Sequence, residues 1–240
     1  MERTTGILLP IFSLPSNQGI GDFGKHTYRL IDAIAKQHIH IWQILPLNPV
    51  GYGNSPYQPY SSFAGDELYI SIDTLADYGL LKQSSIRNYN KFSERVDYEG
   101  VRKFKEPYLR KAFKTFQKNF HEFEQEYQPY AVFITLKKQN DDKPWQQWPK
   151  EQREWIIDRH YSLQSLENEI RYEEFLQFIF YKQWAGIKEY ANAKGVKIMG
   201  DMPFYVGLDS ADVWQRQEEF LLDADGYPTF IAGVPPDYFS

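Results

Sequence analysis

Ile39-His40-Ile41-Trp42-Gln43-Ile44-Leu45-Pro46 is the stretch on which the fold turns. Apart from His40 and Gln43 it is apolar, isoleucine dominates it, and a proline closes it. A short, nearly continuous apolar run of this kind reads as a strand covered on both faces, as in a parallel sheet. Two shorter runs have the same character, Gly6-Ile7-Leu8-Leu9-Pro10 before it and Val196-Lys197-Ile198-Met199-Gly200-Asp201 far after it. Between the first two, a helix starts at Asp22 as its cap and carries Tyr28, Leu30, Ile31, Ala33 and Ile34. A longer helix, about Tyr172 to Lys194, precedes the third run. Glu173 and Glu174 fall in its first turn, Lys194 ends it, and Gly195 supplies the left-handed stop. Strand, helix, strand, then helix, strand is the rhythm of a parallel α/β sheet.

The stretch from Leu81 to Arg171 breaks that rhythm. Leu109, Phe113, Phe116, Phe120 and Phe123 recur at steps of three and four, one apolar stripe of a helix. We read them as the core of a helical subdomain rather than as ligand contacts. Asn140 to Pro149, with Pro144, Trp145, Trp148 and Pro149, reads as a loop between helices. Three segments result: 1–80, with two strands and the loop 51–66; 81–171, helical; and 172–240, with a helix, the third strand and the start of a further loop.

Composition narrows the function. The 240 residues carry 27 basic against 32 acidic side chains, a net charge of -5, with no long run of either sign. A nucleic-acid partner would call for a basic face. There is no cysteine, hence no disulfide framework and no thiolate metal site. The five histidines (His26, His38, His40, His121 and His160) show no metal-ligand spacing, and no Walker or dinucleotide glycine pattern appears, so no metal or cofactor is expected. No apolar run approaches the length of a membrane span, and Met-Glu-Arg-Thr-Thr-Gly is not the start of a signal peptide, which points to the cytoplasm. Gly21-Asp22-Phe23-Gly24 spells the kinase metal-binding tripeptide but lacks its glycine-rich and catalytic loops. Aromatic residues make up 17% of the chain. They form either an aromatic core or a surface that stacks on flat apolar faces such as sugar rings.

In parallel α/β barrels the chemistry lies just past the carboxyl ends of the strands. There the chain offers Gly51-Tyr52-Gly53-Asn54-Ser55-Pro56-Tyr57-Gln58-Pro59-Tyr60-Ser61-Ser62-Phe63-Ala64-Gly65-Asp66, which has no charged side chain before its last residue. Glycines and prolines stiffen it, so little ordering entropy is left to lose on binding. Tyrosine offers a flat ring and a hydroxyl, which suits a neutral ligand with an apolar face and a hydroxyl rim. Tyr52 and Tyr57 are ligand contacts or pack on neighbouring loops. At the end of the third strand stands Asp201, which either satisfies loop backbone donors or faces a ligand.

These strings resemble the amylomaltases, bacterial 4-α-glucanotransferases. The resemblance rests on Ile41 to Leu47 with Gly51 to Gln58, on Gly200-Asp201-Met202-Pro203-Phe204-Tyr205-Val206 with Asp209-Ser210-Ala211-Asp212-Val213-Trp214, and on Ala232 to Ser240. Ser13-Leu14-Pro15 with Gly19 to Gly24 also fits. It implies an α/β fold, the N-terminal part of a (β/α)8 barrel of the α-amylase type with a mostly helical inserted subdomain. It implies a retaining transfer of glucanosyl groups between α-1,4-glucans, through a carboxylate nucleophile and a carboxylic acid about 5 Å apart. By this resemblance Tyr57 lines the donor-sugar site with Ser55 and Pro56, Tyr52 belongs to a second glucan groove, and Asp201 supports the donor pocket. Asp237 belongs to a loop that covers the cleft. Arg102 stands where some relatives carry an aromatic residue of the second groove, and it cannot stack in the same way. The family's nucleophile and acid/base residues are expected beyond Ser240, so the 240 residues alone are expected to be inactive, with the C-terminal half as the missing partner. An α-amylase-type hydrolase and a non-catalytic maltooligosaccharide-binding fragment are the alternatives.

Overall fold

The computed structural model describes residues 3–90, 95–119, 128–203, 205–230 and 233. Three strands form one parallel sheet in the order β1–β2–β3: β1 (Gly6–Leu8), β2 (Ile41–Gln43) and β3 (Lys197–Met199). The register pairs Ile7 with Trp42 and Trp42 with Ile198. Helix α1 (Lys25–Lys36) connects the first two strands. Between β2 and β3 come α2 (Ile72–Asp77), α3 (Tyr98–Asn119), α4 (Gln128–Gln139), α5 (Lys150–Arg153), α6 (Trp155–Asp158) and α7 (Glu167–Ala193). The short α8 (Ala211–Gln215) follows β3.

The strands lie where the apolar runs place them but are shorter. Single ladder bonds extend them, from Leu9 N to Gln43 O (3.0 Å) and from Ile44 N to Met199 O (3.0 Å). Pro10 and Pro46 have no N–H to carry the ladder further. β3 ends at Met199 and leaves Asp201 in the loop beyond, not at the strand end. Burial of β2 on both faces is met on one only: Trp42 and Ile44 are buried, whereas Ile41, Gln43 and Leu45 are half-buried. The helices cover the first face, and nothing among the described residues covers the second to the same depth.

Two helix boundaries depart from the sequence reading. Asp22 does not cap α1. Gly24 precedes the helix without a side-chain cap, and Asp22 Oδ1 accepts from Gly24 N (2.9 Å) while Oδ2 faces the Lys105 ammonium at 3.5 Å. This carboxylate is buried, and a buried cation on α3 competes for it better than the helix end does. Burial pushes the Asp22 carboxyl up and the Lys105 ammonium down, each offset in part by the other. Lys105 Nζ also donates to the carbonyls of Leu68 (2.6 Å) and Ile70 (2.8 Å), so no donor points into apolar surroundings unpaired. Helix α7 begins five residues before Tyr172, with Glu167 and Glu169 in its first turn. Glu173 is buried instead and binds Lys138 (2.6 Å). The stop is as expected: Gly195 has φ 74, and its N–H reaches Asn192 O (3.0 Å).

The aromatic residues mostly fill cores. Phe23, Ile31, Trp42, Phe175, Ile179 and Phe180 belong to one core that α1, β2 and α7 share, and Leu109, Phe113 and Phe116 of α3 join it. Phe120 and Phe123, from the same predicted stripe, lie outside the described residues. A second core gathers Phe133 of α4 with Trp145, Trp148, Trp155 and Trp214. Trp155 and Trp214 stack at 6.1 Å with 5° between planes. Asp158 and His160 pair on the surface at 3.0 Å, away from any strand end.

Candidate functional site

The neutral loop rises from the end of β2 and is closed at its base. Val50 and Pro59 form an isolated antiparallel bridge, and Tyr60 N donates to Pro49 O (2.9 Å). At its tip the backbone doubles back through a 3-10 turn, Tyr52–Asn54, with Gly53 at φ 84 and Asn54 at φ 53. Gly53 adopts that conformation without penalty because it has no Cβ. Ser55 then accepts the Tyr57 amide at 3.3 Å, which sets the direction of the tyrosine.

Tyr57 points across to the loop after β3. Its hydroxyl donates to Asp201 Oδ2 at 2.7 Å, joining residues far apart in the chain. Asp201 Oδ1 accepts from Met202 N at 2.8 Å. Both side chains are exposed, Tyr57 at 43%. The donation to Asp201 raises the Tyr57 phenol above its usual value, since the neutral phenol is the donor. Asp201 therefore does both things its position allows, holding one loop amide while presenting an oxygen to the surface. Ser55 and Pro56 sit half-buried beside the pair. Only the backbone of Tyr52 is described, and Asp237 lies outside the described residues.

What aims the pair was not visible as motifs. Asp66, at the foot of the loop, is 2% exposed. Its Oδ1 accepts Leu68 N (2.9 Å), its Oδ2 accepts Val50 N (3.3 Å), and Arg102 of α3 grips both oxygens at 3.2 and 2.9 Å. Arg102 also pairs with Glu67. The residue that departs from an aromatic groove thus ties the loop to α3. From α7, Gln177 donates to Gly65 O (2.9 Å) and accepts from Gly65 N (2.8 Å). Gln183 does the same with Ser71, at 3.1 and 2.8 Å. From α8, Asp212 accepts Ser62 N (2.9 Å) and Ala211 N donates to Tyr60 O (2.8 Å). Gln177 and Gln183 are buried, yet α7 carries many other polar and charged residues, and nothing in the sequence marked these two. No cluster of three or more His, Asp or Glu able to hold a metal occurs among the described residues.

A cleft of about 530 Å³ opens beside the pair, lined by Phe63, Tyr130, Met202, Val206, Asp212 and Phe220 among others. No helix of the described residues is long and apolar enough to cross a membrane.

Fold and site together define a parallel α/β protein whose exposed polar and aromatic groups meet at the carboxyl ends of its strands. The chain belongs to the 4-alpha-glucanotransferase family, whose model matches residues 9–240. It is 40% identical over 255 residues to a 4-alpha-glucanotransferase of Synechocystis sp., covering 100% of this chain and 50% of that protein. A 4-alpha-glucanotransferase of Thermus thermophilus is 36% identical over 255 residues, with the same two shares. The chain therefore spans about half the length of these curated relatives. Among solved structures, the amylomaltase of Streptococcus agalactiae in complex with acarbose matches with a TM-score of 0.90 at 38% identity, over 100% of this chain and 51% of that one. The amylomaltase of Corynebacterium glutamicum matches with a TM-score of 0.67 at 18% identity, over 89% of this chain and 32% of that one, and is similar in fold.

Proposed function

We propose that Tyr57 and Asp201 form a sugar-binding site for α-1,4-glucans, and that this chain supplies the substrate-binding part of a retaining 4-α-glucanotransferase. The observation that carries the reading is the 2.7 Å bond from Tyr57 to Asp201, made in the open at the carboxyl ends of parallel strands. A glucose ring has an apolar face for the tyrosine ring and hydroxyls for the Asp201 carboxylate. That a similar amylomaltase was solved with acarbose supports a ligand of this class.

In this reading β1, β2 and β3 begin a (β/α)8 barrel, segment 81–171 is an inserted subdomain, and further strands cover the half-buried face of β2. Tyr52 contacts glucan on the same loop, and Asp237 belongs to a covering loop. The protein works in the cytoplasm. Retaining transfer needs a nucleophile carboxylate and an acid carboxyl about 5 Å apart. We assign neither to this chain, so residues 1–240 alone bind glucan without transferring it.

Calorimetric titration with maltotriose tests the site. Asp201→Asn keeps the fold and weakens binding by about tenfold or more, an interaction lost with little change in thermal midpoint. Affinity equal to wild type in both Asp201→Asn and Tyr57→Ala overturns the site. Glucose and longer maltooligosaccharides formed from maltotriose by residues 1–240 alone overturn the division of labour.

A further inference from the structure

Lys137 lies in the last turn of α4 with its side chain 1% exposed, and no part of the proposed sugar site explains a buried lysine there. Its ammonium donates to Asp209 Oδ2 (2.6 Å) and to the carbonyls of Asp142 (3.0 Å) and Lys143 (3.2 Å). It also sits 4.9 Å from the centre of the Tyr60 ring. Both neighbours lead to the site. Asp209 belongs to the loop that leaves β3 through Asp201, and Tyr60 belongs to the loop that carries Tyr57.

The surrounding bonds make the two loops one body at this point. Asp209 Oδ1 accepts Trp145 N (3.3 Å), and Trp145 Nε1 donates to Leu208 O (2.8 Å). Ala211 N donates to Tyr60 O (2.8 Å), and Asp212 takes Ser62 N. Ser210 between them is fully buried and caps α8 through Val213 N (3.3 Å). The chain after Asp201 and the chain after Tyr57 are therefore stitched side by side, and the Lys137 charge lies against both. Burying an ion costs several kcal/mol unless its donors and acceptors are satisfied, and here each ammonium hydrogen has a partner. Such a charge is an expensive way to fill space, whereas it fixes the angle between two loops well.

We infer that Lys137 is the positioning residue of the Tyr57–Asp201 site: by holding Asp209 and facing Tyr60, it sets the distance between the tyrosine and the carboxylate. It touches neither the pair nor a ligand. The inference rests on the glucan-site reading for its consequence, since a misplacement of the pair by about 1 Å weakens sugar recognition strongly. The geometry of the pair itself is independent of that reading.

The test compares wild type, Lys137→Met, Lys137→Arg and Asp201→Asn by two measurements. The first follows the tyrosine ring carbon bearing the hydroxyl by 13C NMR across alkaline pH, with Tyr57→Phe identifying the Tyr57 signal. The second is maltotriose affinity. Lys137→Met moves the Tyr57 titration toward the ordinary tyrosine value, as Asp201→Asn does, and weakens maltotriose about tenfold, while Lys137→Arg restores part of both. An unchanged Tyr57 titration in Lys137→Met overturns the inference, even if the thermal midpoint falls, because that is the signature of a purely structural lysine. If Lys137→Met does not fold, Asp209→Asn, which leaves both carbonyl bonds of Lys137, decides by the same measurement: a shift in the same direction supports the inference and none overturns it. Wild type that does not bind maltotriose, with a Tyr57 signal that still answers to Lys137, refutes the glucan site and leaves the positioning role standing.

Discussion

Replacing Arg102 with alanine isolates the foot of the neutral loop. The Asp66 carboxylate is 2% exposed and Arg102 25%, so the pair is buried on one side and partly screened on the other. Removing one partner of a fully buried pair costs about 3–5 kcal/mol, because the other charge stays in low dielectric without compensation. Two features reduce this here. Asp66 keeps the amides of Leu68 and Val50, and the guanidinium is a quarter exposed. We expect a loss of about 2–3 kcal/mol, which in a chain of this size lowers the thermal midpoint by roughly 5–10 °C. The loss has a pH signature. Burial raises the Asp66 carboxyl and Arg102 opposes that, so without Arg102 the folded-state pKa climbs further above the unfolded value. A carboxyl raised in this way favours the folded state only when protonated. The penalty of Arg102→Ala is therefore full at neutral pH and shrinks as pH falls toward the unfolded value near 3.9. Urea unfolding of both proteins from pH 7 to pH 4 measures it. A gap that stays constant across that range, or a midpoint equal to wild type, refutes the clamp. Arg102→Tyr, which restores an aromatic residue, carries the same penalty.

The Tyr57 phenol is raised by its donation to Asp201, so its bond is intact below the usual tyrosine value near 10 and is lost as pH climbs past the raised one. Maltotriose affinity should stay level from pH 6 to 9 and fall above; the fall begins at lower pH in Asp201→Asn, and identical profiles would separate the two residues. A Cβ added at Gly65 would stand 2.2 Å from the Phe180 ring, itself packed 5.1 Å from Phe23. Gly65→Ala therefore costs at least about 1–3 kcal/mol by overpacking, seen as a lower urea midpoint, and an unchanged midpoint would mean the ring yields freely.

The core of this fold was legible because it follows from local pattern. The run at Ile39–Pro46 announced a buried strand, and Gly195 announced the end of α7, since both depend on residues adjacent in sequence. Tyr57 and Asp201 were legible as separate candidates, each in the chain that follows a strand, but their hydrogen bond was not. The ion-pair roles of Lys105, Lys137 and Arg102, the last noted only as a departure from an aromatic position, were invisible for a common reason. A cation buried by tertiary packing looks, in sequence, like any cation on a solvated helix face. The same ambiguity misassigned Asp22, whose partner Lys105 arrives from a distant helix, and Glu173, which met Lys138 instead of the helix end.

Gln177 and Gln183 each take one residue of the segment 65–71, Gly65 and Ser71, by both its carbonyl and its amide, as a neighbouring strand would. A grip of that kind addresses main chain, which every amino acid shares. Between the two grips Asp66, Leu68 and Ile70 are buried anchors, whereas the Phe63 side chain just before them is exposed and released from anchoring duty. Substitutions at Phe63 can reshape the wall of the cleft while the backbone path stays tethered to α7. Gly65 is held to glycine by the ring above it. The helix thus confers mutational latitude on the exposed rim of the loop alone, with a forbidden position and buried anchors built into the tether.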